Sequence, residues 1–231
     1  MTSAAPFPKL TMDLLRHGLA EVAAADADVA AALAEVGPPG ELRIIEPGFA
    51  GLLRIIVGQQ VSAAAAHAIW ARITDAVVPL DPPTLLAALE APPARLGLSR
   101  PKRDYARGLA EAVMTGALDP GGLAALPDDG VVAAITALRG FGRWSAGIYL
   151  LFALGRPDAW PPDDLALHVG VQRLKGLAAR PGRLEVDRIA GSWQPWRGAM
   201  ATFLWHYYHR TGGQQQFADA RRESDGSSER T

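Results

Sequence analysis

Hydrophobic positions recur at helical intervals along nearly the whole chain, and no sustained alternation of apolar and polar residues signals a strand. Leu14, Leu15, Leu19, Val22, Val29, Leu33 and Val36 follow one another at threes, fours and sevens until Gly37-Pro38-Pro39-Gly40 ends the pattern, which predicts one helix over 14–36. Pro47 suits the first turn of a second helix that carries Phe49, Leu52, Leu53, Ile56 and Val57 and ends near Gly58-Gln59-Gln60. Ser62 reads as the N-cap of a third, whose Ala63–Ala66 opening is small-sided and whose Ile69, Trp70 and Ile73 are available for a core. Shorter helices are predicted at about 82–90, 102–116, 121–126, 129–138, 143–154 and 164–176. A final stretch at about 186–210, interrupted at Pro195, holds Trp193, Trp196, Phe203 and Trp205. The segment 212–231 has almost nothing to bury and reads as a disordered tail. The expectation is an all-α domain over 1–211, a bundle of roughly ten short helices.

Composition narrows the chemistry. The 231 residues carry 23 Lys plus Arg against 24 Asp plus Glu, for a formal charge of −1, and there is no cysteine. Thiol nucleophiles, cysteine-ligated zinc, disulfides and iron–sulfur clusters are therefore excluded. A near-neutral chain has no global positive field, so a nucleic-acid partner would have to be met by a local patch or by backbone amides. The longest apolar run, Val61 to Ile69, is broken by Ser62 and His67 and is short for a bilayer span, and no targeting segment is visible. No membrane association is expected, and the expected location is cytoplasmic, beside the nucleoid if the source is bacterial.

Ile135 to Leu150 reads ITALRGFGRWSAGIYL, two helical patterns flanking Gly140-Phe141-Gly142. Glycines allow a positive φ and let another chain approach the backbone, and the amides opening the second helix point outward as anion ligands. This is a helix-hairpin-helix pattern, with Arg139 and Arg143 beside the turn; on the glycines alone it is equally a helical corner packed inside a bundle. A dinucleotide-binding loop fits poorly, since no strand precedes Gly140 and the third glycine is Gly147. Further on, Pro161-Pro162-Asp163-Asp164 leads into LALHVGVQRL. Asp163 suits the N-cap of that helix and Asp164 its first turn, where a pair of acids also serves simply as cap and dipole partner.

Taken together these segments resemble the helix-hairpin-helix base-excision DNA glycosylases (HhH-GPD superfamily), and within them the 3-methyladenine DNA glycosylase II type. LLRIIVGQQVSAAAAHAIWARI at 52–73 is similar to the family's Gly-Gln-x-Val-Ser junction, LRGFGRWSAGIYLLFALGRPDAWPPDDLAL at 138–167 to its hairpin and catalytic loop, and WQPWRGAMATFLWHYY at 193–208 to its C-terminal Trp-Arg helix. The resemblance spans about 15–210 and is that of a short member lacking the family's larger N-terminal domain. It implies two helical lobes around a cleft, one of about 48–160 and one of about 1–47 plus 161–211.

The resemblance also implies roles. Asp164 faces the sugar as the catalytic carboxylate, leaving Asp163 to cap. A base made cationic by alkylation already leaves readily, so no general acid is needed, and the product is alkylated base such as 3-methyladenine or 7-methylguanine released from double-stranded DNA. Trp144 and Trp205 match the aromatic pocket walls, Tyr149 assists, and Ile148 and His206 replace aromatic residues of the family, which suggests a more open pocket. Gln60 matches the residue that fills the hole left by the flipped nucleotide, with Gln59 beside it. Trp144 stands where bifunctional members carry a Schiff-base lysine, so monofunctional base removal without strand cleavage is expected.

DNA contacts are expected from Gln59, Gln60, Ser62, Lys102, Arg139, Gly140, Phe141, Gly142, Arg143 and Ser145, with Arg100–Arg107 supplying a charge of +3. The carbonyls of Thr136, Leu138 and Gly140 match those that hold a monovalent cation (Na+ or K+) in the family; no other cofactor is required. His206 and His209, without a third ligand, are assigned to core and surface. A monomer is expected. Open alternatives are a glycosylase for uracil or deaminated purines, a non-catalytic DNA-structure binder that keeps the hairpin, and a helical protein-interaction domain.

Overall fold

A computed structural model describes residues 8–90 and 96–212. Among these residues there are eleven α-helices and no strand. The expected tail at 212–231 lies, apart from Gly212, outside the described residues. The helices divide between two compact units, Met1–Lys9 with Arg43–Pro161, and Leu10–Leu42 with Pro162–Thr231.

The first unit holds α3 (Phe49–Gly58), α4 (Ala63–Ala76), α5 (Pro82–Leu89), α6 (Arg100–Met114), α7 (Asp128–Thr136) and α8 (Arg143–Ile148). α3 is apolar on nearly every side: Leu52, Leu53, Ile55, Ile56 and Val57 are all buried, and it packs against α4, α6 and the turn that follows α8. Pro47 stands before this helix rather than in its first turn: Gly48 takes the cap position at φ +99°, which glycine adopts readily, and the helix begins at Phe49. Ser62 caps α4 as expected, its hydroxyl accepting from Ala65 N at 3.2 Å. Of the α4 core candidates only Ile73 is fully buried; Trp70 is half-buried beneath the Arg54 guanidinium. The predicted 121–126 helix is a short 3-10 turn at Gly122–Ala125. The predicted 143–154 helix changes register: α8 ends at Ile148 and a π-helical turn continues over Tyr149–Ala153. Insertions of this kind re-aim side chains without breaking the rod.

The second unit holds α1 (Met12–Ala25), α2 (Ala27–Val36), α9 (Leu165–Leu174), α10 (Arg183–Gly191) and α11 (Arg197–Arg210). The single helix predicted over 14–36 is two, broken at Asp26 with φ −131° and ψ 102°. Periodicity alone missed the break because the apolar stripe continues through it. Asp26 is extended because its carboxylate caps α2, accepting from Asp28 N and Val29 N, and also receives Lys175 Nζ at 2.6 and 2.7 Å and Trp193 Nε1 at 3.0 Å. Lys175 further reaches Asp28 at 2.9 Å. Burial alone would raise the Asp26 carboxyl, but the hydrogen bonds from Lys175 and Trp193 hold it net below its ordinary value. The same contacts outweigh burial at Lys175 and hold its ammonium above the usual lysine value. α9 packs between α2, α10 and α11 over Leu167, Val171, Trp193, Phe203 and Leu204, all buried. The stretch predicted at 186–210 resolves into α10 and α11 on either side of Pro195.

Candidate functional site

In the second unit the chemistry gathers at the start of α9. Here the two acids each stand one position earlier than the sequence suggests, Asp164 at the cap and Asp163 outside the helix. Asp164, at φ −75° and ψ 118°, is the N-cap: its Oδ1 accepts from Leu167 N at 3.1 Å. Asp163 is exposed, in the left-handed region at φ 62°, with its carboxylate 4.0 Å from Arg183 Nε. A cap needs extended backbone just before the first helical residue, and only Asp164 has it. Its Oδ1 also receives the indole Nε1 of Trp205 from α11 at 3.1 Å, so the carboxylate is fixed by two donors at the positive end of a helix. Trp205 and His206 are half-buried, the His206 ring lying 3.4 Å from the Val36 carbonyl, and His209 is exposed against the Tyr208 ring.

In the first unit the glycine turn joins α7 to α8. Gly140 has φ +90°, and a Cβ there would stand 2.2 Å from the Tyr105 ring. Gly142 is the N-cap residue of α8 and makes no side-chain cap, so the amides that open this helix face outward beside exposed Arg139 and Arg143. Gly147 is required for a different reason: a Cβ would lie 2.6 Å from the Pro161 backbone. Trp144 is half-buried on α8.

Several residues expected at a DNA surface or base pocket are turned inward. Phe141 is buried, its ring in the core, while its N–H bonds Leu138 O at 3.1 Å. Tyr149 is fully buried and its hydroxyl accepts from Gly48 N at 2.9 Å; Ile148 is likewise core. Ser145 is buried and Gln59 is not a free surface group: its Nε2 donates to Gly140 O at 2.9 Å and to Ser145 Oγ at 3.2 Å. Lys102, 9% exposed, donates to Val57 O at 2.8 Å, and burial pushes its ammonium below the ordinary value. It serves as a C-terminal cap for α3 rather than a phosphate contact. In the +3 stretch around it, Arg103 is engaged with the Leu89 carbonyl, whereas Arg107 pairs with Glu90 at 2.7 Å on the surface and Arg100 is exposed. Charge counting along a helix could not see this, because the partners are on α3 and α5 or just past its end. Gln60 and Ser62 remain exposed, Gln60 at φ 54°.

Of the three carbonyls matched to a monovalent ion, Leu138 O accepts from Phe141 N and Gly140 O from Gln59 Nε2. A carbonyl has two lone pairs, so each retains one, and neutral oxygen donors suit a monovalent ion. Among the described residues no three His, Cys, Asp or Glu side chains gather as metal ligands, and no helix is long and apolar enough to cross a membrane.

A glycine hairpin in one unit and a helix-capping carboxylate held by an indole in the other define the class of protein. Residues 53–195 match the HhH-GPD superfamily of base excision DNA repair proteins, and the chain belongs to that family. It is 29% identical over 158 residues to DNA-3-methyladenine glycosylase 1 of Schizosaccharomyces pombe, covering 67% of this chain and 69% of that one. Its fold is similar to that of the S. pombe 3-methyladenine DNA glycosylase in complex with abasic DNA (TM-score 0.72, 25% identity, 82% of this chain and 95% of that one). It is also similar to the DNA-3-methyladenine glycosidase of Bacillus halodurans (TM-score 0.68, 27% identity, 81% and 87%).

Proposed function

We propose that the protein is a monofunctional DNA glycosylase that flips alkylated bases such as 3-methyladenine and 7-methylguanine out of double-stranded DNA and hydrolyses their glycosidic bonds. The observation that carries the reading is the Asp164 carboxylate, pinned by Leu167 N and Trp205 Nε1 in a chain of this family. As the bond between C1′ and the base nitrogen breaks, its electron pair leaves with the base and positive charge builds on the sugar. A carboxylate already fixed by two donors stabilises that charge without reorganising, and it takes the proton of the water that adds to C1′. The cationic base leaves as a neutral species, so no acid has to protonate it.

The absence of a lyase step is supported by the lysines. The chain has three, Lys9, Lys102 and Lys175. Lys102 is buried on Val57 O and Lys175 is held by two carboxylates, so these two offer no free amine to the sugar; Lys9, among the first described residues, is the one exposed lysine. DNA is held through the amides opening α8 with Arg139 and Arg143, and the carbonyls of Thr136, Leu138 and Gly140 would hold a monovalent cation whose charge faces a phosphate.

The test is incubation with methylated duplex DNA and chromatography of the released bases. Release of 3-methyladenine or 7-methylguanine, with strand scission only after alkali, is expected. No release from any alkylated duplex refutes the reading, and scission without alkali refutes its monofunctional part.

A further inference from the structure

The turn between α3 and α4 reverses the chain in four residues, and one of them is strained. Gln60 sits at φ 54°, in a region that is strained for an ordinary L-residue and that glycine or asparagine normally occupies. Glutamine has no local device for staying there, so the surrounding contacts must impose it, and strain held in this way concentrates at working sites. Three contacts bracket the residue. Upstream, Lys102 Nζ holds Val57 O, the last turn of α3. Downstream, Ser62 caps α4. Immediately before it, Gln59 is extended (φ −63°, ψ 129°) and its carboxamide crosses to the hairpin, donating to Gly140 O and Ser145 Oγ, 81 and 86 residues away. Gly140 O can only accept, which fixes the amide with its NH2 toward the hairpin.

We infer that Gln59 is a positioning residue that acts through Gln60: it locks the strained turn to the hairpin, so that the Gln60 side chain is presented at a fixed distance from the amides that grip the DNA backbone. The inference rests on the glycosylase reading and adds to it. A probe that fills the space of a flipped nucleotide works best if its register with the phosphate grip is set beforehand, since ordering a free glutamine costs rotamer entropy. Gln59 spends its amide on this bridge and does not touch DNA. Its neighbour, exposed and strained, is the residue left to do so.

A double-mutant cycle tests it: Gln59→Ala, Gln60→Ala and the pair, each measured for kcat/KM on alkylated duplex, for affinity to undamaged duplex and for Tm. Gln60→Ala should lower kcat/KM by about tenfold or more, as a small misplacement of a positioning group does. Gln59→Ala should lose nearly as much and the double variant no more than the larger single loss, with affinity for undamaged duplex unchanged. Residues that act through one another are non-additive in this way, whereas a general structural defect multiplies the losses. Multiplying losses overturn the proposal, as does an inert Gln60→Ala. Gln59→Met, which keeps the volume and removes the amide, replaces the alanine variant should that melt early. A wild-type protein that releases no base overturns the functional reading first; a wild type that excises while the losses multiply overturns this proposal alone.

Discussion

Asp164→Asn separates the structural and chemical duties of one carboxylate. Two hydrogen bonds run to Oδ1, from Leu167 N and from Trp205 Nε1, each at 3.1 Å. An asparagine carbonyl accepts both, and asparagine caps a helix about as well as aspartate, so the expected change in stability is below about 0.5 kcal/mol. Asp164→Ala loses the cap, about 1 kcal/mol, and removes the hydrogen bond that the half-buried indole donates to the carboxylate, about 1 kcal/mol more. For a chain of this size that is a fall in Tm of about 4–8 °C. Activity should rank differently. Asparagine carries no charge to set against the developing oxocarbenium and cannot take the water's proton, so single-turnover excision should fall by about 10²–10³ in both variants. Scanning calorimetry reads the first prediction and chromatography of released base from methylated duplex the second. An asparagine variant that keeps wild-type turnover refutes the assignment of the carboxylate. One that melts as early as the alanine variant refutes the account of the cap.

Two further outcomes follow from the internal pairings. Removing the ammonium in Lys175→Met leaves Asp26 and Asp28 facing one another, with Trp193 Nε1 still donating to Asp26 from within the same unit, and should cost about 2–3 kcal/mol, less than a fully buried pair because both partners are partly exposed. The wild-type contribution from Asp26, whose folded carboxyl lies below its ordinary value, is complete above about pH 5 and is lost as pH falls through the folded value; that from Lys175, held above its ordinary value, is complete below about pH 10 and is lost as pH rises. Thermal melts of wild type should therefore show a plateau between those limits, with the variant's curve lower and flatter at both edges. For DNA binding, Arg143→Ala should reduce the slope of log affinity against log salt by about 0.9, the value for one phosphate contact. Lys102→Met should leave that slope unchanged and lower Tm, because its ammonium lies on Val57 O; a slope that falls in the lysine variant instead refutes its inward placement.

How much was legible before folding depends on whether the physics was local. The helical spacing of Leu52 to Val57, the glycines around Phe141 and the Ser62 cap depend on residues within one or two turns, and the structure follows them. The acidic pair at 163–164 was located by the same signals but its order was not, because which residue caps depends on backbone angles that two adjacent aspartates cannot distinguish by type. The break at Asp26 was hidden by an unbroken apolar stripe that runs through it; the Asp26 carboxylate caps α2 locally, and the partners that hold it there, Lys175 and Trp193, are 149 and 167 residues away in sequence. Lys102 and Arg103 read as a basic surface and are instead engaged inside the first unit, Arg107 is neutralised by Glu90 at the surface, and Gln59 reads as an exposed amide and is instead the bridge to the hairpin. The sequence by itself determined the helices, the glycine turn and the types of residue available for chemistry, because backbone propensity and periodicity are properties of neighbours. Only the tertiary structure decided which charges and amides remain free, because a polar group that is buried must find its partner wherever the fold brings one.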